Sequence, residues 1–162
     1  MKAVKSITLI ATLLFGAGAL TVRSQSNASK QMSPDALVAD LYKANKQKRG
    51  PFFQTRSRAL LYKYFEKSLA DMIWKDAVRS KGEVGAIDGD PLCDTQDMDI
   101  KNFVIKKPLH EEGGTLVAVT FENFGKKKTV VFLLVDGKTG WRIRDIDYGE
   151  GRTLAGELKE NR

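Results

Sequence analysis

A change of hydrophobic period near residue 100 constrains this chain more than any other feature. Before that point apolar residues recur at three- and four-residue spacing. After it they alternate, or run in short blocks between glycine-containing turns. The first pattern buries one stripe of a helix and the second buries one face of a sheet. Helices followed by hairpin-linked strands give an α+β domain, with N-terminal helices packed on a curved four-stranded antiparallel sheet.

In the helical half, Ser33-Pro34-Asp35 opens the first element: an N-cap residue, a proline suited to the first turn, and an acid at the positive end of the dipole. Leu37, Val38, Leu41 and Tyr42 form its stripe, and Gly50-Pro51 ends it. Leu60, Leu61, Tyr64 and Phe65 make a second stripe, and Leu69, Met72, Ile73 and Ala77 a third. With no glycine or proline in 57–79, one long helix or two with a bend near Glu66-Lys67 both fit. Trp74 lies off the stripe, which makes it a core satellite or part of a partner surface.

In the strand half, the expected strands are Asn102 to Lys107, Leu116 to Phe124, Thr129 to Val135 and Trp141 to Tyr148. The connections at 111–114, 124–126 and 136–140 contain glycine and are short, so neighbouring strands run antiparallel. Trp141 and Ile143 share one parity, whereas Ile146 and Tyr148 take the other. The last strand is therefore covered on both sides, or it carries a bulge near Arg144-Asp145. Thr153 is placed to cap a short final helix.

The first residues read as an export signal. Lys2 and Lys5 precede the apolar run from Ile7 to Phe15, and two small-residue cleavage sites follow, Ala17-Gly18-Ala19 before Leu20 and Val22-Arg23-Ser24 before Gln25. The run is shorter than a bilayer span. The expected organisation is a signal peptide over 1–24, a flexible leader over 25–32 and one domain over 33–160, in a periplasmic or secreted protein. Three of the seven excess positive charges, Lys2, Lys5 and Arg23, leave with the signal and four remain. That excess gives loose attraction to anionic envelope surfaces and not nucleic-acid binding. The clusters Lys46-Gln47-Lys48-Arg49 and Lys126-Lys127-Lys128 are short and lack interleaved aromatic residues. The lone cysteine, Cys93, permits no internal disulfide and reads as a buried thiol.

Residues 83–99 are rich in glycine and aspartate and form a long loop, a length that often marks function. Within it, Asp90-Pro91-Leu92-Cys93-Asp94-Thr95-Gln96-Asp97 resembles the "D-P-x-x-x-x-Q-D" loop of a domain-of-unknown-function family of small exported bacterial proteins. Trp141-Arg142-Ile143-Arg144-Asp145-Ile146-Asp147-Tyr148 resembles that family's last strand, "W-x-I-x-D-I-x-Y", and Leu41-Tyr42 fits its first helix. The resemblance spans 33–160. It implies a cystatin-like or nuclear transport factor 2-like cone, with an open end that forms a pocket. It implies no activity and no cofactor.

Three sets of residues have the right chemistry for a site. Asp88, Asp90 and Asp94 are oxygen donors of the kind calcium takes, although Leu92 and Cys93 stand where an EF-hand needs an oxygen and a glycine. Aspartates in loops also hold turns by bonding nearby backbone, and Gln96-Asp97 reads as a buried pair doing so. Asp145 and Asp147 are the candidates for acid–base catalysis, since an apolar pocket wall raises a carboxyl pKa. His110, the one histidine, falls beside Glu111 in a turn and is poorly placed as a base.

The binding candidates are Asp90, Asp94, Gln96, Asp97, Trp141, Asp145 and Tyr148. Serine-hydrolase, zinc and phosphate-loop spacings are absent. The expectation is an exported, non-catalytic binding module, of the inhibitor or immunity kind, that takes an envelope protein or a small apolar ligand. The alternative is an isomerase- or dehydratase-like enzyme using a pocket aspartate. A homodimer through the open sheet face is a further expectation.

Overall fold

The computed structural model describes residues 31–53 and 57–160. The expected signal peptide, and the leader up to residue 30, lie outside the described residues. Three helices come first: α1 (Pro34–Lys46), α2 (Arg58–Tyr64) and α3 (Lys67–Arg79). Six strands follow, β1 (Ile100–Ile105), β2 (Leu109–Glu111), β3 (Gly114–Asn123), β4 (Lys126–Gly137), β5 (Gly140–Gly149) and β6 (Arg152–Thr153), then α4 (Leu154–Glu160). The sheet is antiparallel in the order β1-β3-β4-β5-β6, and β2 pairs with the β1 edge of β3.

The domain is α+β as the periodicity requires, with six strands where four were expected. The two extra strands are short. Pro108, which has no N–H to give a ladder, separates β1 from β2 along one edge. On the other edge Thr153 pairs with Asp147 just before α4 begins. Among the described residues no helix is long and apolar enough to cross a membrane.

The helical stripe divides at Phe65-Glu66. Phe65 bridges Ile143 of β5, and the Glu66 N–H donates to the Ile143 carbonyl at 2.8 Å. Strand-like pairing there prevents a continuous helix, so α2 and α3 are separate. Ser33 occupies the N-cap of α1, but its hydroxyl donates to Asp35 Oδ1 instead of capping backbone. Thr153 does cap α4, accepting from the Gly156 N–H at 3.0 Å.

The β3–β4 hairpin is tighter than the lysine cluster suggested. Phe124 and Gly125 both have positive φ, 49° and 75°, as a two-residue primed turn requires, so Lys126–Lys128 belong to β4. In β5 the bulge is real: Leu134 pairs with Ile143 and Leu133 with Asp145, which leaves Arg144 as the extra residue. It shifts the parity, so Ile143 and Ile146 are both fully buried on the same face.

That inner face carries Val117, Val119, Phe121, Val130, Phe132 and Leu134. Leu37, Val38, Leu41, Leu61, Leu69 and Ile73 of the helices pack on it, with Leu92 and Cys93 of the long loop. Tyr64, Phe65 and Phe132 fill the space between helices and sheet. The interior that a cone would open is thus occupied by side chains.

Candidate functional site

The long loop closes one end of this core, held mainly through its own backbone. Asp90 N–H donates to the Thr95 carbonyl at 2.8 Å, so 90–95 forms a small closed turn. Asp90 Oδ1 accepts from the Leu92 N–H at 2.8 Å, and Oδ2 accepts from Asn45 Nδ2 of α1 at 2.7 Å. Tyr42 on α1 donates its hydroxyl to the Leu92 carbonyl, and Tyr148 on β5 donates to the Pro91 carbonyl at 3.0 Å. Burial pushes both phenols above their usual pKa. Cys93 is buried beneath the turn, and its thiol is pushed up to about 12 by desolvation and then by the Asp90 charge.

The remaining carboxylates of this segment do not converge. Asp94 adopts φ 49° and meets cations: Arg152 spans its two oxygens at 2.7 and 3.2 Å, and Lys128 Nζ lies 3.5 Å from Oδ2. Lys128 also donates to the Asp94 carbonyl at 2.7 Å. Asp88 is exposed. Among the described residues no group of three or more His, Cys, Asp or Glu is placed to hold a metal. The calcium candidates Asp88, Asp90 and Asp94 are therefore not brought together.

The Gln96-Asp97 pair differs from the sequence reading: both residues are exposed. Asn123, buried at the end of β3, satisfies the loop instead. It accepts from the Asp99 N–H at 2.8 Å and donates to the Asp97 carbonyl at 3.1 Å and the Thr95 hydroxyl at 3.2 Å. Neither Asn123 nor Asn45 stands out in sequence. The only signal is a polar residue in phase with a buried alternation, at positions 117, 119, 121 and 123.

Asp145 sits at the bulge. Its Oδ1 accepts from the Ile146 N–H at 2.8 Å and from the Ala155 N–H at 3.0 Å, which docks the start of α4 on β5. It borders an open hollow of about 530 Å³ shared with Ser68, Lys75, Arg144 and Lys159. Asp147 is exposed and accepts from the Gly149 N–H at 2.7 Å. Trp141 is partly buried, tilted against His110 at a centroid distance of 6.4 Å, and lines a separate open hollow with Lys63 and Arg142. His110 Nδ1 is 2.8 Å from the Thr115 hydroxyl. The two aspartates, the tryptophan and the long loop thus occupy different places on the molecule.

The outer face of the sheet is the feature that sequence reading gave least weight. Leu116, Ala118, Val131, Leu133 and Val135 alternate with the core residues on the opposite face of the sheet, and Leu133 also borders the hollow that Asp145 shares with Ser68 and Lys75 of α3. They are partly buried and stand outside the core cluster. Val104 and Leu109 extend the patch onto the β1–β2 edge, 44% and 58% exposed. Arg144 reaches along one border and donates to the Gly113 carbonyl at 2.9 Å.

Compared with protein-family models, with curated proteins and with solved structures, the chain matches none.

Proposed function

We propose that the protein is an exported, non-catalytic interaction module of the cell envelope, with the cystatin-like or nuclear transport factor 2-like cone as its framework. The observation that carries this reading is the apolar outer sheet face. An antiparallel sheet with one solvated face is ordinarily polar there, whereas Leu116, Ala118, Val131, Leu133 and Val135 make its centre apolar. Contiguous apolar surface of that kind marks a protein-binding site.

The charge and signal pattern support an envelope location, and the long loop serves this reading as a brace. Its carbonyls and the Asp90 and Asp94 carboxylates are engaged within the fold. A partner then meets the rigid sheet and not a mobile loop. The test is zero-length cross-linking of the full chain in its own cells, wild type against Val131→Lys and against Asp97→Asn. Cross-links lost in Val131→Lys and kept in Asp97→Asn support the reading. Cross-links unchanged by Val131→Lys overturn it.

A further inference from the structure

The hollow beside the start of β5 has a volume of about 490 Å³ and is lined by three cations, Lys63 of α2, Lys138 of the β4–β5 turn and Arg142 of β5. Arg142 is partly buried and its guanidinium is held by three bonds. Nε donates to the Tyr62 carbonyl at 2.8 Å, Nη1 to the Trp141 carbonyl at 2.7 Å and Nη2 to the Thr139 hydroxyl at 3.0 Å. All three acceptors are neutral. A guanidinium has five N–H donors, so one remains on each terminal nitrogen. The bond to Tyr62 serves the last turn of α2. It leaves that remaining pair without a task.

Two carboxylates reach the lining residues, and both are engaged. Asp40 holds Lys63 at 2.7 Å, and Asp136 accepts from Gln31 Nε2 at 2.9 Å. Among the described residues neither Arg142 nor Lys138 forms an ion pair. Gly140 has φ +107°, and a Cβ there would lie 3.7 Å from Gln31 Nε2 and 3.8 Å from Arg142 Nη1. The bare glycine thus lets two polar side-chain ends approach one spot. Trp141, Leu37 and Met32 add apolar lining to the same hollow.

A partly buried cation bonded only to neutral acceptors keeps a desolvation cost that a counter-charge would offset. A carboxylate matches the fork of a guanidinium held in one orientation. An indole beside it offers a flat apolar surface to a ring. We propose that this hollow binds an organic carboxylate that carries a flat ring, with the carboxylate on Arg142 and Lys138 and the ring against Trp141. The site is independent of the sheet-face reading. It also differs from a site for a purely apolar ligand, which would cover Arg142 without neutralising it.

The test is a titration of the isotope-labelled protein, as its cells produce it, followed by nuclear magnetic resonance of side-chain N–H groups. The probes are benzoate, acetate, benzyl alcohol and inorganic phosphate. Benzoate is expected to shift the Trp141 indole N–H and the Arg142 Nε–H saturably and to leave the Trp74 indole N–H unmoved. It should bind about tenfold more tightly than each of the other three probes. Arg142→Gln should weaken benzoate about tenfold, and Lys138→Glu about threefold. Thermal melts show whether each variant is folded. Since Arg142→Gln also loses the bond to Tyr62, Lys138→Glu in an exposed turn keeps the test decisive if the first variant unfolds. Absence of a saturable shift overturns the proposal. Benzyl alcohol as tight as benzoate would make the hollow an apolar site, and acetate or phosphate as tight would remove the ring or the carboxylate from its specificity; each of these results overturns it too. So does benzoate affinity unchanged in Lys138→Glu.

Discussion

Asn45 on α1 donates its Nδ2 to Oδ2 of Asp90 across 2.7 Å, and so ties the first helix to a loop 45 residues later in sequence. Asp90 Oδ1 meanwhile holds the turn by accepting from Leu92. One carboxylate thus both shapes the loop and fastens it. Asp90→Ala removes both bonds and is expected to cost about 1–3 kcal/mol in urea unfolding. The Asn45 Oδ1 atom is buried without a partner, so Asn45→Ala also relieves an orphaned acceptor and should cost less. A double-mutant cycle checks the link: strictly additive losses would show that the two residues do not cooperate.

Alkaline pH should unfold the domain from the loop end. Tyr42, Tyr148 and Cys93 keep their protons in the folded state beyond the usual range, because burial disfavours the charged forms. A folded pKa above the unfolded one gives stability that is full below the unfolded pKa and declines as pH rises past it. For Cys93 the decline runs from 9.0 to about 12, and for the phenols it begins at 10.0. Each group contributes a slope of about 1.4 kcal/mol per pH unit over its interval. Urea midpoints at pH 8, 9.5 and 10.5 should therefore fall steeply at the top of the series. Tyr148→Phe should lower stability at pH 8 by about 1 kcal/mol, for the lost bond to Pro91, and flatten the decline. A wild-type midpoint that is constant across the series would contradict this assignment.

The parts of the fold that follow from period and turn chemistry are legible in the sequence. Leu37, Val38 and Leu41 mark the buried stripe of α1, and the parity break from Ile143 to Ile146 leaves two options, a strand covered on both sides or a bulge near Arg144-Asp145, of which the structure has the bulge. The helix break at Phe65 is legible only as one of two options, because it is made by a contact with Ile143, 78 residues away in sequence. The site is less legible for the same reason. Whether an aspartate is a ligand or a turn-former depends on who bonds it, and the partners of Asp90, Asp94 and Asp145 are Asn45, Arg152 and the Ala155 N–H. The outer face is hidden because Val131, Leu133 and Val135 lie in a run that reads as wholly apolar. Such a run says that both faces are apolar, not what covers the second.

Asp145 separates a structural role from a chemical one. Its Oδ1 holds the Ala155 N–H at the start of α4 and the Ile146 N–H after the bulge. Asp145→Asn keeps an oxygen in that position and should lose under about 1 kcal/mol, whereas Asp145→Ala leaves two backbone donors without it and should lose about 1–3 kcal/mol. Amide exchange of Ala155 and Ile146 reads the effect locally: both should quicken in the alanine variant and stay slow in the asparagine variant. Equal losses in the two variants would point to the charge, not the acceptor, as the important property.

Calcium should leave the loop unchanged, for reasons visible at each carboxylate. Asp90 has one oxygen on the Leu92 N–H and the other on Asn45. Asp94 faces Arg152 with both oxygens, with the Lys128 ammonium 3.5 Å away, so a divalent ion would have to displace two cations before binding. Extracellular calcium sites bind at roughly 0.1–1 mM, so about 10 mM calcium would saturate one and add more than about 1 kcal/mol of stability. The expected change in melting temperature with that concentration, or with chelator, is below about 1 °C. The geometry of the turn is the sensitive property instead. Gly89 adopts φ +114°, and a Cβ there would lie 2.8 Å from the Thr95 carbonyl oxygen that receives the Asp90 N–H. Gly89→Ala is therefore expected to lower the melting temperature by several degrees, through about 1–3 kcal/mol of backbone strain and loss of the 90–95 bond. A calcium-dependent rise of several degrees, or a Gly89→Ala variant as stable as wild type, would show that the loop is held by something other than its internal bonds.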